Sequence, residues 1–216
     1  MFRPIHSPER PVTLVGGGDA SPSLLKTALS HAPRLVAADG GAAHALEAGV
    51  MPEAVVGDFD SLGGLDLPGA IKHHMPDQNQ TDFQKCLSIV DAPLIIGVGF
   101  LGGRLDHQLA ALTTLLQEPR PVVLLKPGEL AFLSPRDLTL DLPEGMAIGL
   151  YPLLEALLTS RGLRYPLSAA RVAPDGLIST SNHVEGGPVE LSVDRRSLLV
   201  TLPLEALEAV LSALAR

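Results

Sequence analysis

Carboxylates and glycines recur at one kind of place in this sequence, directly after short apolar runs. Asp39-Gly40-Gly41 follows Leu35 to Ala38, Gly57-Asp58-Phe59-Asp60-Ser61 follows Ala54 to Val56, and Asp77 to Asp82 follows Ile71 to Met75. Gly102-Gly103-Arg104-Leu105-Asp106-His107 comes soon after Leu94 to Val98. Asp58 and Asp60 are two positions apart, so an extended segment would turn both carboxylates to one side and Phe59 to the core. Two such oxygens can share one hard cation, and magnesium, which takes one or two carboxylates together with phosphates and water, suits that donor set. The bland alternative for any single Asp-x-Asp is a solvated turn. Repetition of the pattern at several run ends favours the site.

Arg104 follows two glycines, where backbone can approach a phosphate and a guanidinium can grip two of its oxygens. Asp106 has two readings, a metal or water ligand or a first-turn carboxylate stabilising a helix dipole. His107 is ordinarily a structural histidine at such a place. Gly16-Gly17-Gly18 lacks the Lys-Ser/Thr ending of a P-loop and the spacing of a dinucleotide fingerprint. Cys86, the single cysteine, excludes an intrachain disulfide, nearly excludes a thiolate zinc site, and reads as a small core residue.

The runs that carry these residues alternate with helical patterns, which predicts a mainly parallel α/β sheet. Ser21-Pro22 starts a helix to about His31, Gly49 ends the next, and Thr81 to Gln84 has the spacing of a capping box. In such a sheet ligands bind at the carboxyl ends of the strands, which is where the glycines and carboxylates fall. From about Gly128 the texture changes to short strands with turn residues, read as Leu130–Ser134, Leu138–Leu142, Met146–Leu150, Leu177–Thr180, Val189–Val193 and Ser197–Leu202. The expectation is therefore an α/β domain over residues 1–127. An antiparallel β-sandwich over 128–216 follows, ending in a helical tail with Leu204, Leu207, Leu211 and Leu214 on one face.

Composition narrows the function classes. The 216 residues carry 16 Lys plus Arg against 24 Asp plus Glu, a formal charge of −8, and no basic run suits nucleic acid. An acidic protein that handles polyphosphate needs a cation to mask its own charge. No apolar stretch approaches a membrane span and Met1 to His6 does not read as a signal peptide, so the expected compartment is the cytoplasm.

Taken in order, Ala38-Asp39-Gly40-Gly41, Gly57 to Ser61, Asp77-Gln78-Asn79-Gln80-Thr81-Asp82-Phe83 and Gly102 to His107 resemble the thiamine pyrophosphokinase family. Gly162-Leu163-Arg164-Tyr165-Pro166-Leu167 and Ile178-Ser179-Thr180-Ser181-Asn182 are similar to its C-terminal signatures. The resemblance implies transfer of diphosphate from ATP to the thiamine hydroxyl, which attacks the β-phosphorus as AMP departs. It also implies a homodimer with active sites between subunits.

By the same resemblance, Asp58, Asp60 and Asp82 would hold Mg2+, joined in catalysis by Arg104 and Asp106. Asp39, Gly40, Arg104 and His107 would contact ATP, and Gln78, Ser179, Ser181 and Asn182 thiamine. Asp82 and Asp106 both remain candidates to accept the hydroxyl proton. The family's usual Asn is Ala43 here and the chain has no Trp, leaving Tyr165 or a Phe to stack on the thiamine rings. Two alternatives stay open: a diphosphokinase acting on another alcohol such as a hydroxymethylpterin, and a non-catalytic nucleotide- or thiamine-binding module.

Overall fold

The computed structural model describes residues 5–215; Met1 to Pro4 of the segment expected to carry no leader, and Arg216, lie outside them. The chain divides into two compact units, Met1–Pro127 and Gly128–Arg216.

The first unit runs β1 (Ile5–His6), β2 (Val12–Val15), α1 (Pro22–His31), β3 (Arg34–Ala38), α2 (Gly41–Glu47), β4 (Ala54–Gly57), β5 (Ile71–His74), α3 (Asp82–Ile89), β6 (Val90–Asp91), β7 (Ile95–Val98), α4 (Leu105–Gln117) and β8 (Val122–Lys126). Strands pair in the order β8-β7-β2-β3-β4-β5, every pair parallel. Residues of β2, β4 and β7 are buried throughout, which is why each reads as an unbroken apolar run: a parallel strand covered on both faces has no solvent side. Leu14, Leu25, Ile95 and Ile96 are fully buried, each contributing about 1.5–3 kcal/mol of transfer free energy. The short parallel pair β1 and β6 had no legible sequence signal, being two residues each.

Helix starts follow local chemistry. Ser21 Oγ accepts from Leu24 N–H at 3.2 Å, with Pro22 in the first turn of α1. Thr81 and Gln84 form a reciprocal box at α3: Thr81 N–H donates to Gln84 Oε1 at 3.0 Å and Gln84 N–H to Thr81 Oγ1 at 3.3 Å. Such caps contribute about 1 kcal/mol each and set where a helix begins, here immediately before Asp82. Gly49 has φ +75, the left-handed geometry that stops α2.

The second unit comprises β9 (Glu129–Leu133), β10 (Asp137–Leu140), β11 (Ala147–Pro152), β12 (Ala156–Arg161), β13 (Ala170–Val172), β14 (Ser179–His183), β15 (Val189–Val193), β16 (Leu198–Pro203) and α5 (Leu207–Leu214). Two antiparallel sheets form, β14-β11-β16-β9 and β10-β15-β12-β13. Buried and exposed residues alternate along β15 and β10, as expected for sheets with one face packed. β12 and β13 were absent from the sequence reading, since exposed Leu157 breaks the alternation of one and the other has three residues. The tail begins with a 3-10 turn, Leu204–Ala206, and its buried face is set by Leu207 and Val210. Leu204, Leu211 and Leu214, expected to share that face, are half-buried.

Candidate active site

Three carboxylates meet at the carboxyl ends of β3 and β4. Asp39 follows β3 in a left-handed conformation, φ +40, with its N–H donating to Val56 O at 2.8 Å. Gly57 ends β4 directly beneath it, and a Cβ there would lie 2.8 Å from Asp39 Cβ, so only glycine admits the Asp39 side chain. Phe59 has φ +71, so Asp58 to Asp60 is a left-handed turn and not the extended segment the spacing suggested. Phe59 is correspondingly half-buried, not in the core, with its ring 5.3 Å from that of His74. The turn folds Asp60 back: its N–H donates to Asp58 Oδ1 at 3.4 Å, and Ser61 Oγ–H donates to Asp60 Oδ1 at 2.8 Å. One carboxylate oxygen each from Asp39, Asp58 and Asp60 lies within 4.8 Å of the others.

Their electrostatics differ. Asp39 is 3% exposed and its Oδ1 is buried without a hydrogen-bond partner. Burial first, then the Asp60 carboxyl and the charge of Asp82, push its pKa up to about 6. Asp58 is held below the usual carboxylate range, chiefly by the Gln78 amide, then by the Asp60 N–H. A buried oxygen with no donor is costly, and a hard cation bound to the trio would satisfy it. The all-oxygen donor set therefore fits Mg2+.

Asp82 opens α3, but its Oδ1 accepts from Lys85 Nζ at 3.0 Å, and Lys85 is buried. Sequence reasoning missed Lys85, although Asp and Lys three apart on a helix are a recognisable pair. In the preceding loop, Gln78 Nε2 donates to Asp58 Oδ2 at 2.8 Å, and Asn79 N–H to Asp77 Oδ1 at 2.9 Å. Gly40 is the N-cap residue of α2.

At the start of α4, Arg104 and Asp106 form an exposed fork, Nε to Oδ1 at 3.1 Å and Nη2 to Oδ2 at 2.6 Å. The pair raises the Arg104 pKa and lowers that of Asp106. His107 is exposed. The loops after β2 and β7 pack closely: Gly18 N–H donates to Gly99 O at 2.9 Å, and a Cβ on Gly102 would lie 2.4 Å from Asp19 Oδ2.

In the second unit, Ser179, Ser181 and Asn182 lie on β14. Ser181 is exposed and Ser179 half-buried. Asn182 is 1% exposed. Its Oδ1 accepts from Tyr165 N–H at 3.1 Å and His183 N–H at 2.9 Å, while its Nδ2 donates to Tyr165 O at 2.9 Å and Ser179 Oγ at 3.2 Å. The amide is fully used inside the protein. Its visible product is a fixed Tyr165, 59% exposed, with the Arg164 guanidinium 5.8 Å from its ring centroid.

Fold and site together define a class: a parallel α/β unit with a cation-competent carboxylate site, followed by an antiparallel β unit. Residues 25–124 match the family described as thiamin pyrophosphokinase, catalytic domain, and residues 136–198 the thiamin pyrophosphokinase, vitamin B1 binding domain. Thiamin pyrophosphokinase 1 of Caenorhabditis elegans is 31% identical over 174 residues, covering 71% of each chain. Thiamine pyrophosphokinase 1 of Oryza sativa subsp. japonica is 31% identical over 166 residues, 66% of this chain and 63% of that one. Among solved structures, thiamin pyrophosphokinase from Candida albicans superposes with a TM-score of 0.78 over 94% of both chains at 17% identity. That from Geobacillus thermodenitrificans gives 0.76 over 89% of this chain and 96% of its own at 24% identity. At such identities the superpositions speak for the fold. The chain belongs to the thiamin pyrophosphokinase family.

Proposed function

We propose that this chain transfers a diphosphate group from ATP to the hydroxyl of thiamine, giving thiamine diphosphate and AMP. The observation that carries the reading is the Asp39, Asp58 and Asp60 trio with its orphaned buried oxygen, inside the segment matched to the family's catalytic domain. Asp58, Asp60 and Asp82, the metal ligands expected from the resemblance, would hold Mg2+ together with Asp39, and the ion when bound would neutralise charge on the transferred phosphates.

The remaining work falls to the chain's own groups. Arg104 would exchange the Asp106 carboxylate for phosphate oxygens, a similar bidentate geometry. Asp39, Gly40 and His107 complete the proposed ATP contacts. Gln78, Ser179 and Ser181 are the proposed thiamine contacts, with Tyr165 offering a ring face. Asn182, also assigned to thiamine by resemblance, would act by holding Tyr165 and Ser179 in place. Asp82 and Asp106 remain the two candidates to accept the hydroxyl proton. A loose transition state needs positioning more than a strong base.

The proposal includes a homodimer and a cytoplasmic location. Family membership supports the first. A single buried cysteine supports the second, as does the finding that no helix among the described residues is long and apolar enough to cross a membrane. Nothing in the family matches favours a pterin alcohol as acceptor or a non-catalytic role. The test is release of AMP from Mg-ATP with and without thiamine. Thiamine-dependent AMP supports the reading, and AMP formation indifferent to thiamine overturns it.

A further inference from the structure

Phe59 sits between Asp58 and Asp60 with φ +71, a backbone region that a bulky side chain adopts only at a cost. The same loop uses glycine at Gly63 and Gly64, φ +55 and +80, with open space where a Cβ would stand. Glycine would relieve position 59 as well, so the aromatic side chain is explained by what it touches. Its ring lies 5.3 Å from that of His74, tilted by 36°, a separation at which aromatic pairs attract. Phe59 is half-buried and His74 exposed, so the pair does not serve to fill the core. It spans instead from the turn to the neighbouring strand. His74 ends β5 in register with Gly57, and Met75 N–H donates to Gly57 O at 2.8 Å, which fixes that strand against the residue opening the turn. Asp60 N–H and the Gln78 amide orient the Asp58 carboxylate, while the Phe59 ring ties the turn to the sheet.

We propose that Phe59 is a positioning residue: its ring, seated against His74, holds the left-handed turn in a shape that presents Asp58 and Asp60 together to a divalent cation. This rests on the reading of Asp58, Asp60 and Asp82 as ligands of the Mg2+ that serves the transfer reaction. Magnesium demands near-ideal octahedral geometry, so carboxylates on a short surface turn need a support that fixes their backbone. A glycine at position 59 would reach the same φ without strain but leave many other conformations open. Selecting one of them would then weaken cation binding.

The direct measurement is Mn2+ affinity of the metal-free protein, followed by electron paramagnetic resonance and read beside the melting temperature. In Phe59→Gly the relieved strain offsets the lost ring contact, and the melting temperature stays within about 3 °C of the parent. Mn2+ nevertheless binds about tenfold more weakly, the loss typical of a residue that supports a metal ligand. Phe59→Tyr keeps the ring and stays within about twofold of the parent. His74→Ala weakens Mn2+ binding to a similar degree and His74→Phe restores it, which separates a ring contact from an imidazole ligand and decides the matter if Phe59→Gly does not fold. Phe59→Gly combined with His74→Ala binds no more weakly than Phe59→Gly alone, because both remove one contact. Parental Mn2+ affinity in folded Phe59→Gly overturns the proposal, as does equal weakening in His74→Ala and His74→Phe. Mn2+ binding is read without thiamine or ATP, so the two readings fail separately. A parent that forms no thiamine diphosphate, yet loses Mn2+ affinity with the ring, refutes the transfer reaction and supports the role of Phe59.

Discussion

The Gln78 side-chain amide donates to Asp58 Oδ2 at 2.8 Å, tying the loop before α3 to the turn after β4 across 20 residues of sequence. That bond fixes one oxygen of Asp58 and helps to keep the carboxyl ionised. Hydrogen bonds to charged groups contribute about 1.5–3 kcal/mol. Gln78→Leu is therefore expected to weaken Mn2+ binding about tenfold, measured by titration of the metal-free protein. Unchanged affinity would show that the bond does not orient Asp58.

Asp58 and Asp60 lie on an exposed turn, so their charges can be removed at little cost to the fold. Asp58→Asn and Asp60→Asn should each lower turnover at least about a hundredfold, beyond the tenfold to hundredfold typical of residues one layer behind a metal, with a melting temperature within about 3 °C of the parent. Rates near the parent value in both variants would remove these residues from the metal site.

Asp39 gives a pH dependence of opposite sign to that of an ordinary ion-paired carboxylate. Its pKa in the fold, about 6, lies above the unfolded value, so ionisation weakens the native state. Metal-free protein should gain stability as pH falls from about 7 to 5, before carboxylates held low, such as Asp58, begin to protonate. Asp39→Asn should be more stable than the parent at pH 7 by a few °C, lack this slope, and be inactive. Thermal unfolding at several pH values checks it, and an identical slope in the variant would contradict it.

Asn182 has four hydrogen bonds and 1% exposure. Asn182→Ala leaves the Tyr165 and His183 N–H groups and the Tyr165 carbonyl without their partner, a loss of about 2–4 kcal/mol. Calorimetry should show a drop of roughly 5–15 °C, together with a raised KM for thiamine and a smaller effect on the KM for ATP. Equal effects on both substrates would contradict the link from Asn182 through Tyr165 to thiamine.

Legibility from sequence followed the range of the interactions. The Thr81 box and Gly49 stop act over three or four residues, so α3 and the end of α2 could be read within a residue or two. β12 and β13 depend on partners far along the chain and on a face whose exposed Leu157 hides its period. The carboxylates could be found because each follows an apolar run, but their grouping could not. It depends on Phe59 adopting φ +71, on Gly57 leaving room for Asp39, and on Gln78 holding Asp58. None of these is encoded in Asp-x-Asp spacing.

The most direct test of the central claim is product analysis by phosphorus NMR after incubating the protein with thiamine, ATP and Mg2+. AMP and thiamine diphosphate are expected in equal amounts, with both new phosphates on the vitamin arriving in one step. ADP with thiamine monophosphate, or no phosphorylated thiamine at all, would contradict it.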